Sequence, residues 1–179
     1  MKRTFLLSLL PVAVIVLLDQ LTKLWIRSSM ALGESRPIWG EDFFRLTYIE
    51  NRGVAFGLDV ASPLILSIIS ALAVILLIVF LYKLYKEPTP DTAAAVLLRL
   101  SLLLILSGAI GNLIDRILLG KVTDFLDFDF PDLIMTRWPA FNIADSAITI
   151  GVTILFLHVI LFHRRKQNPF PPKGSTERS

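Results

Sequence analysis

The chain alternates between long apolar runs and shorter polar stretches, and the lengths of the runs set its architecture. A helix needs roughly 20 predominantly apolar residues to cross about 30 Å of hydrocarbon. Four segments meet that requirement: about 5–26, 63–82, 93–114 and 143–162. The first follows Lys2 and Arg3, as a secretory leader would, but it runs on through "LLDQLTKLWI" with no small-x-small cleavage site. It therefore reads as a membrane span. Between the first two spans the pattern changes to period two. "FFRLTYIE" (Phe43–Glu50) alternates and is rich in β-formers, "NRG" (Asn51–Gly53) is a turn, and "VAFG" (Val54–Gly57) continues as a strand. "VTDFLDFDF" (Val122–Phe130) in the third loop alternates too. The predicted fold is an α-helical integral membrane protein with four transmembrane helices and a small extracytoplasmic β-sheet. Residues 1–166 form one membrane domain, and 167–179 form a flexible cytoplasmic tail that is polar and Pro-containing.

Composition supports the membrane reading. Of 179 residues, 54% are hydrophobic and only 18% charged, whereas a soluble domain is about 45–50% apolar. The absence of cysteine removes disulfides, thiolate metal sites and cysteine nucleophiles from consideration. The net charge of +3 is small, and the basic residues lie at the chain ends and between apolar runs. They act as topology signals, with no nucleic-acid surface implied. Lys2, Arg3, Lys83, Lys86 and the tail residues Arg164, Arg165, Lys166, Lys173 and Arg178 occupy short segments, whereas the remaining loop cations are spread over long ones. Both termini are accordingly expected in the cytoplasm. Trp25, Trp39 and Trp138 then fall at the outer face, as an aromatic belt would.

Ionisable residues inside a membrane are costly and mark function by default. Asp19 lies about 14 residues into the first span, roughly 21 Å from its cytoplasmic start. Asn112, Asp115 and Arg116 share a face at the outer end of the third, and Asn142 and Asp145 begin the fourth. With Asn51 and Asp124 from the loops, polar groups from distant parts of the chain converge at one depth. Simpler roles stand beside this. Asp19 and Lys23 are spaced to neutralise each other. Asp115 and Arg116 can anchor a helix end, Asn142 can cap a helix with Asp145 at its third position, and "SGAIG" (Ser107–Gly111) permits close helix packing. Strand parity sorts the acidic stretch from Val122 to Asp132. Asp124 shares its side with Val122, Leu126 and Phe128, whereas Asp127 and Asp129 fall on a face expected to be solvated, and Asp132 follows Pro131 in a turn.

The chemistry that remains is carboxylate chemistry. The two histidines, His158 and His163, lie at the far end of the fourth span, so no Ser-His or zinc arrangement is available, and there is no phosphate loop. Two aspartates in one site cannot both ionise easily, and one keeps a proton while the other activates water. Asp124 and Asp145 are the candidates. No cofactor and no metal is expected.

The blocks "DQLTK" (Asp19–Lys23), "NRGVAF" (Asn51–Phe56), "GNLIDR" (Gly111–Arg116), "VTDF" (Val122–Phe125) and "FNIAD" (Phe141–Asp145) together resemble lipoprotein signal peptidase, or signal peptidase II, in the family's order. Ser107 stands where the family often has glycine, a small departure. The resemblance implies a monomeric aspartic endopeptidase of the bacterial inner membrane with its site at the outer leaflet. Such an enzyme removes signal peptides from prolipoproteins by cutting before a diacylglyceryl-modified cysteine, with substrate reaching it from membrane lipid. It implies Asp124 and Asp145 as the catalytic pair, with Asp19, Lys23, Asn51, Gly53, Asn112, Asp115, Arg116 and Asn142 binding substrate or supporting the pair. Two other classes compete: a small proton-coupled transporter using intramembrane aspartates, which would hold its acid near the midplane, and a membrane scaffold needing no acid pair.

Overall fold

The computed structural model of the chain describes residues 2–40, 42–55, 58–59, 62–86, 92–129 and 137–163. Its elements run in the order α1 (Lys2–Ser8), α2 (Leu10–Ser29), β1 (Ser35–Trp39), β2 (Phe44–Asn51), β3 (Val54–Ala55), β4 (Leu58–Asp59), α3 (Pro63–Lys86), α4 (Ala93–Leu119), β5 (Val122–Phe128) and α5 (Ile143–His163). Among the described residues, four helical segments are long and apolar enough to cross a membrane: Phe5–Ser29, Pro63–Lys86, Ala93–Leu119 and Ile143–Phe162. The expected spans thus occur, with two differences. The first is interrupted at Leu9, because Pro11 follows within the first turn of α2 and offers no N–H to the preceding turn. The third extends five residues beyond Ile114, so Asp115 and Arg116 are part of α4. It ends at Gly120, whose φ of +69° is the left-handed cap that glycine accommodates.

Between helices in lipid there is little hydrophobic drive, so close packing needs small residues. The α4–α5 pair uses them. A Cβ at Gly108 would meet the Ala144 carbonyl oxygen and the Ile148 side chain, and one at Gly151 would meet the Ser101 carbonyl oxygen at 2.8 Å. Elsewhere the helices bury Val12, Val74, Leu81, Leu102, Leu103 and Leu106 in a core at the end away from the sheet. Leu64, Leu76 and Phe156 face outward with over 60% of their surface free, a pattern that only lipid satisfies.

The sheet at the other end of the helices has the antiparallel order β1-β2-β5. β1 was not evident from alternation. Pro37 lies within it, as an edge strand tolerates, and the chain pairs with β2 from Ser35 opposite Thr47. β2 carries a bulge: Leu46 faces Leu126 and Ile49 faces Asp124, so Thr47 and Tyr48 together oppose Phe125. The bulge sends Tyr48 into a second core with Ile26, Met30 and Phe125, which fastens the sheet to the end of α2. β3 pairs with β4 as a separate two-stranded sheet and not with β2. Phe56 and Gly57 of the expected strand, Asp132, and the tail lie outside the described residues.

The free edge of β5 is covered by the residues leading into α5. Phe141 and Leu126 exchange backbone N–H···O bonds at 3.0 and 2.8 Å, and the Phe44, Phe128 and Phe141 rings stack in sequence. This clip fixes the start of α5 against β5.

Candidate active site

The clip brings Asp124 of β5 and Asp145 of α5 to one place, where both line a cleft of about 560 Å3 with Trp138, Phe141, Thr149 and Ile150. Each carboxylate is held by neutral N–H groups. Asn142 Nδ2 donates to Asp124 Oδ1 at 2.7 Å and Asn51 Nδ2 to Oδ2 at 3.2 Å. Asn112 Nδ2 donates to Asp145 Oδ1 at 2.7 Å and the Asn142 backbone N–H to Oδ2 at 3.2 Å. Among the described residues, neither accepts from a cation directly. Burial, and then the charge of Asp145, push the Asp124 carboxyl up to about 7; the amide donors oppose this only partly.

Local sequence explains each placement. Asn142 caps α5, accepting from the Asp145 N–H at 2.9 Å, while Asp145 returns a bond to the Asn142 N–H, a reciprocal capping box. The helix cap and the candidate site are the same residues. Gly53 adopts a φ of +101°, which glycine takes without strain. Its N–H donates to Asn51 Oδ1 at 2.9 Å, leaving the Asn51 amide to donate to Asp124.

Behind this pair lies a charged cluster. Lys23 is fully buried and its Nζ meets Asp19 Oδ2 at 2.9 Å, Asn112 Oδ1 at 2.9 Å and Asp115 Oδ2 at 3.3 Å. Asp19 Oδ1 accepts from the Ala144 N–H in the first turn of α5, and Asp115 Oδ2 from the Thr123 N–H beside Asp124. Gly111 has no room for a Cβ because Asp19 Oδ2 would lie 2.7 Å from it. Asn112 connects the layers, taking the Lys23 proton donor on its oxygen and giving its amide to Asp145. Arg116 is half-buried in α4 and bonds neither carboxylate of the pair, although its charge acts on Asp145, Asp124 and Asp115.

All ten residues singled out in the sequence are therefore in or beside one assembly. The loop acids need correction. Asp127 does not face solvent: it is 6% exposed, accepts from Thr47 Oγ1 at 2.6 Å and pairs with Arg137 Nε at 2.6 Å. The face opposite Asp124 is covered, which parity alone does not reveal. Asp129 is about one-third exposed and pairs with Arg137 at 3.5 Å. Three participants escaped sequence reading. Gln20 donates to Asp19, to the Gly111 carbonyl and to Asp115, Arg27 donates to Thr123 Oγ1 at 3.0 Å, and Thr123 is itself buried. Gln20 had a signal, a second polar residue beside Asp19 in an apolar run. Arg27 counted only as a loop charge. His158, far along α5, meets Phe162 ring to ring in a tilted arrangement and takes no part.

The family described as signal peptidase (SPase) II matches residues 11–161. The chain belongs to the signal peptidase II family. It is 40% identical to the lipoprotein signal peptidase of Syntrophus aciditrophicus over 169 residues, covering 93% of this chain and 99% of that protein. It is 43% identical to that of Brevibacillus brevis over 149 residues, covering 83% and 91%. A solved structure described as a bacterial membrane enzyme, obtained by the in meso method at 2.3 Å, superposes with a TM-score of 0.72 at 29% identity over 95% of this chain and 94% of the other. The signal peptidase II member described here is thus a multi-pass membrane peptidase, and its polar assembly sits where α2, α4 and α5 meet the sheet.

Proposed function

We propose that this chain is an aspartic endopeptidase that removes signal peptides from prolipoproteins, cutting before a diacylglyceryl-modified cysteine, with Asp124 and Asp145 as its catalytic pair. The observation that carries the reading is the pair itself: a buried and a half-buried carboxylate from different elements, both on one cleft, held among the described residues by neutral amides. Near neutral pH such a pair shares one proton. The ionised member takes a proton from water as the water oxygen attacks the scissile carbonyl carbon, and the protonated member gives its proton to the carbonyl oxygen. The tetrahedral diol then collapses: a proton passes to the amide nitrogen, the C–N bond breaks, and a new carboxyl and amine result. The four amide donors keep both carboxylates oriented through these exchanges.

The distribution of basic residues supports the membrane setting. Both termini are cytoplasmic by the distribution of basic residues, which sets the sheet and cleft at the outer leaflet of the inner membrane. The cleft borders α5 at Thr149 and Ile150, so a signal segment and its acyl chains approach laterally from lipid while water enters from the sheet side. Asp19, Lys23, Asp115 and Asn112 support the pair from behind, Asn142 and Asn51 hold it, and the chain acts as a monomer. A proton-coupled transporter is not favoured, since Asp115, Asp124 and Asp145 gather at the sheet end of the helices, not midway along them.

The test is cleavage of a lipid-modified prolipoprotein by the purified protein, with the product N-terminus read by mass spectrometry. Cleavage before the modified cysteine is expected, with little or none of the unlipidated form. Equal processing of both forms contradicts recognition of the lipid.

A further inference from the structure

A second cleft of about 380 Å3 opens on the other side of Asp124. It shares Asn51, Asp124, Pro139 and Ala140 with the first, so the two arms join into one groove at Asp124. The arms differ. The first continues along α5 into a membrane-crossing segment. The second ends among Ile49, Glu50 and Arg52, at the end of β2 and beyond the helices. A substrate with one apolar membrane segment and one part emerging into water fits this groove in one direction. Its apolar part lies along α5, and the residues after the scissile bond lie over the end of β2.

The second arm is lined by Glu50, Arg52 and Asp124, and its two charged groups away from the aspartate pair differ in how they are engaged. Glu50 is engaged twice: Tyr48 Oη donates to it at 2.8 Å and Lys121 Nζ pairs with it at 2.7 Å. Those two charges offset each other. Arg52 is exposed, lines the same arm and makes no ion pair among the described residues. Its guanidinium is thus a cation with no salt-bridge partner among the described residues on the path of the emerging chain, while Glu50 is already engaged by Lys121.

We infer that Arg52 is a specificity-determining residue: it favours substrates carrying an acidic residue in the first few positions after the modified cysteine and disfavours basic ones. The inference rests on the peptidase reading above. It concerns encounter and binding of the cleaved chain, so it acts on KM more than on kcat.

The test uses the full-length protein and three lipid-modified prolipoproteins that differ only at the second and third residues after the cysteine, which are Asp, Asn or Lys. The measured quantity is the ratio of kcat/KM between substrates within each variant, so a general change in activity cancels. Wild type is expected to cleave the Asp form roughly threefold to tenfold better than the Lys form, the scale of exposed ion pairs, with the ratio shrinking as salt rises. Arg52→Gln brings the ratio close to one, and Arg52→Glu inverts it. Equal cleavage of all three by wild type, or an unchanged ranking in Arg52→Glu, overturns the role of Arg52 and leaves the peptidase intact. Failure of wild type to cleave any of them overturns the peptidase reading, and this inference with it.

Discussion

Two pairs of aspartates lie on either side of Asn112 and are treated oppositely by their surroundings. Asp19 and Asp115 share the Lys23 ammonium, and each also accepts a backbone N–H, from Ala144 and Thr123 respectively. Asp124 and Asp145 receive only neutral donors and open on the cleft. The difference is one of compensation, and under the proposed function it separates acids that a cation ties into the fold from acids left free for chemistry at the cleft. Asn112 joins the two environments, so the cation steadies the second pair without quenching it.

The comparison breaks most visibly at its two extremes. Asp124→Asn and Asp145→Asn should each lower the cleavage rate by roughly 10²–10⁴-fold or more with the fold retained, as read by peptide release and by melting in detergent. Lys23→Ala acts on the other pair. It leaves Asp19 without a cation and Asp115 with only Arg27 at 3.8 Å, at a cost of roughly 3–5 kcal/mol, so poor yield and a lowered Tm are expected, and not a well-folded inactive protein. A Lys23→Ala protein with normal Tm would remove the structural half of the contrast.

Smaller effects sharpen it. Because the folded chain holds the Asp124 proton more tightly than the unfolded chain does, the stability from this group is full below the ordinary carboxylate range. It is lost as pH rises from about 4 towards about 7. Cleavage should therefore fall as pH rises through about 7, and Asp124→Asn should melt at a higher temperature than wild type at pH 8 while the two converge at pH 4. Gly111→Ala crowds Asp19 and should cost roughly 1–3 kcal/mol. Asp127→Asn comes last. It weakens the link to Arg137, which precedes the cleft wall at Trp138, and a slightly lower Tm with cleavage retained is expected.

Much of this contrast was legible in the sequence, for identifiable reasons. Hydropathy located the spans because lipid demands length and apolarity, and the i, i+4 spacing of Asp19 and Lys23 named the ion pair that forms at 2.9 Å. The capping pattern named the bond between Asn142 and Asp145. What escaped depends on long-range contact. Strand parity identified Asp124 but misjudged Asp127, because Thr47 reaches it through a bulge in β2 and Arg137 returns from beyond a loop. Gln20 and Arg27 looked incidental until α2 was set beside α4 and β5. β1 carries Pro37 and shows no alternation, and it exists because β2 offers it an edge.

The central claim is that Asp124 and Asp145 act as one unit sharing a proton, and single-turnover cleavage of a lipid-modified prolipoprotein tests it most directly. The rate should be compared across Asp124→Asn, Asp145→Asn and the double variant. Residues that act as a unit are non-additive. The account predicts that either single substitution removes essentially all of the activity and that the second removes nothing further. Substantial cleavage by one single variant, or a double variant whose loss is the product of two independent partial losses, would contradict it.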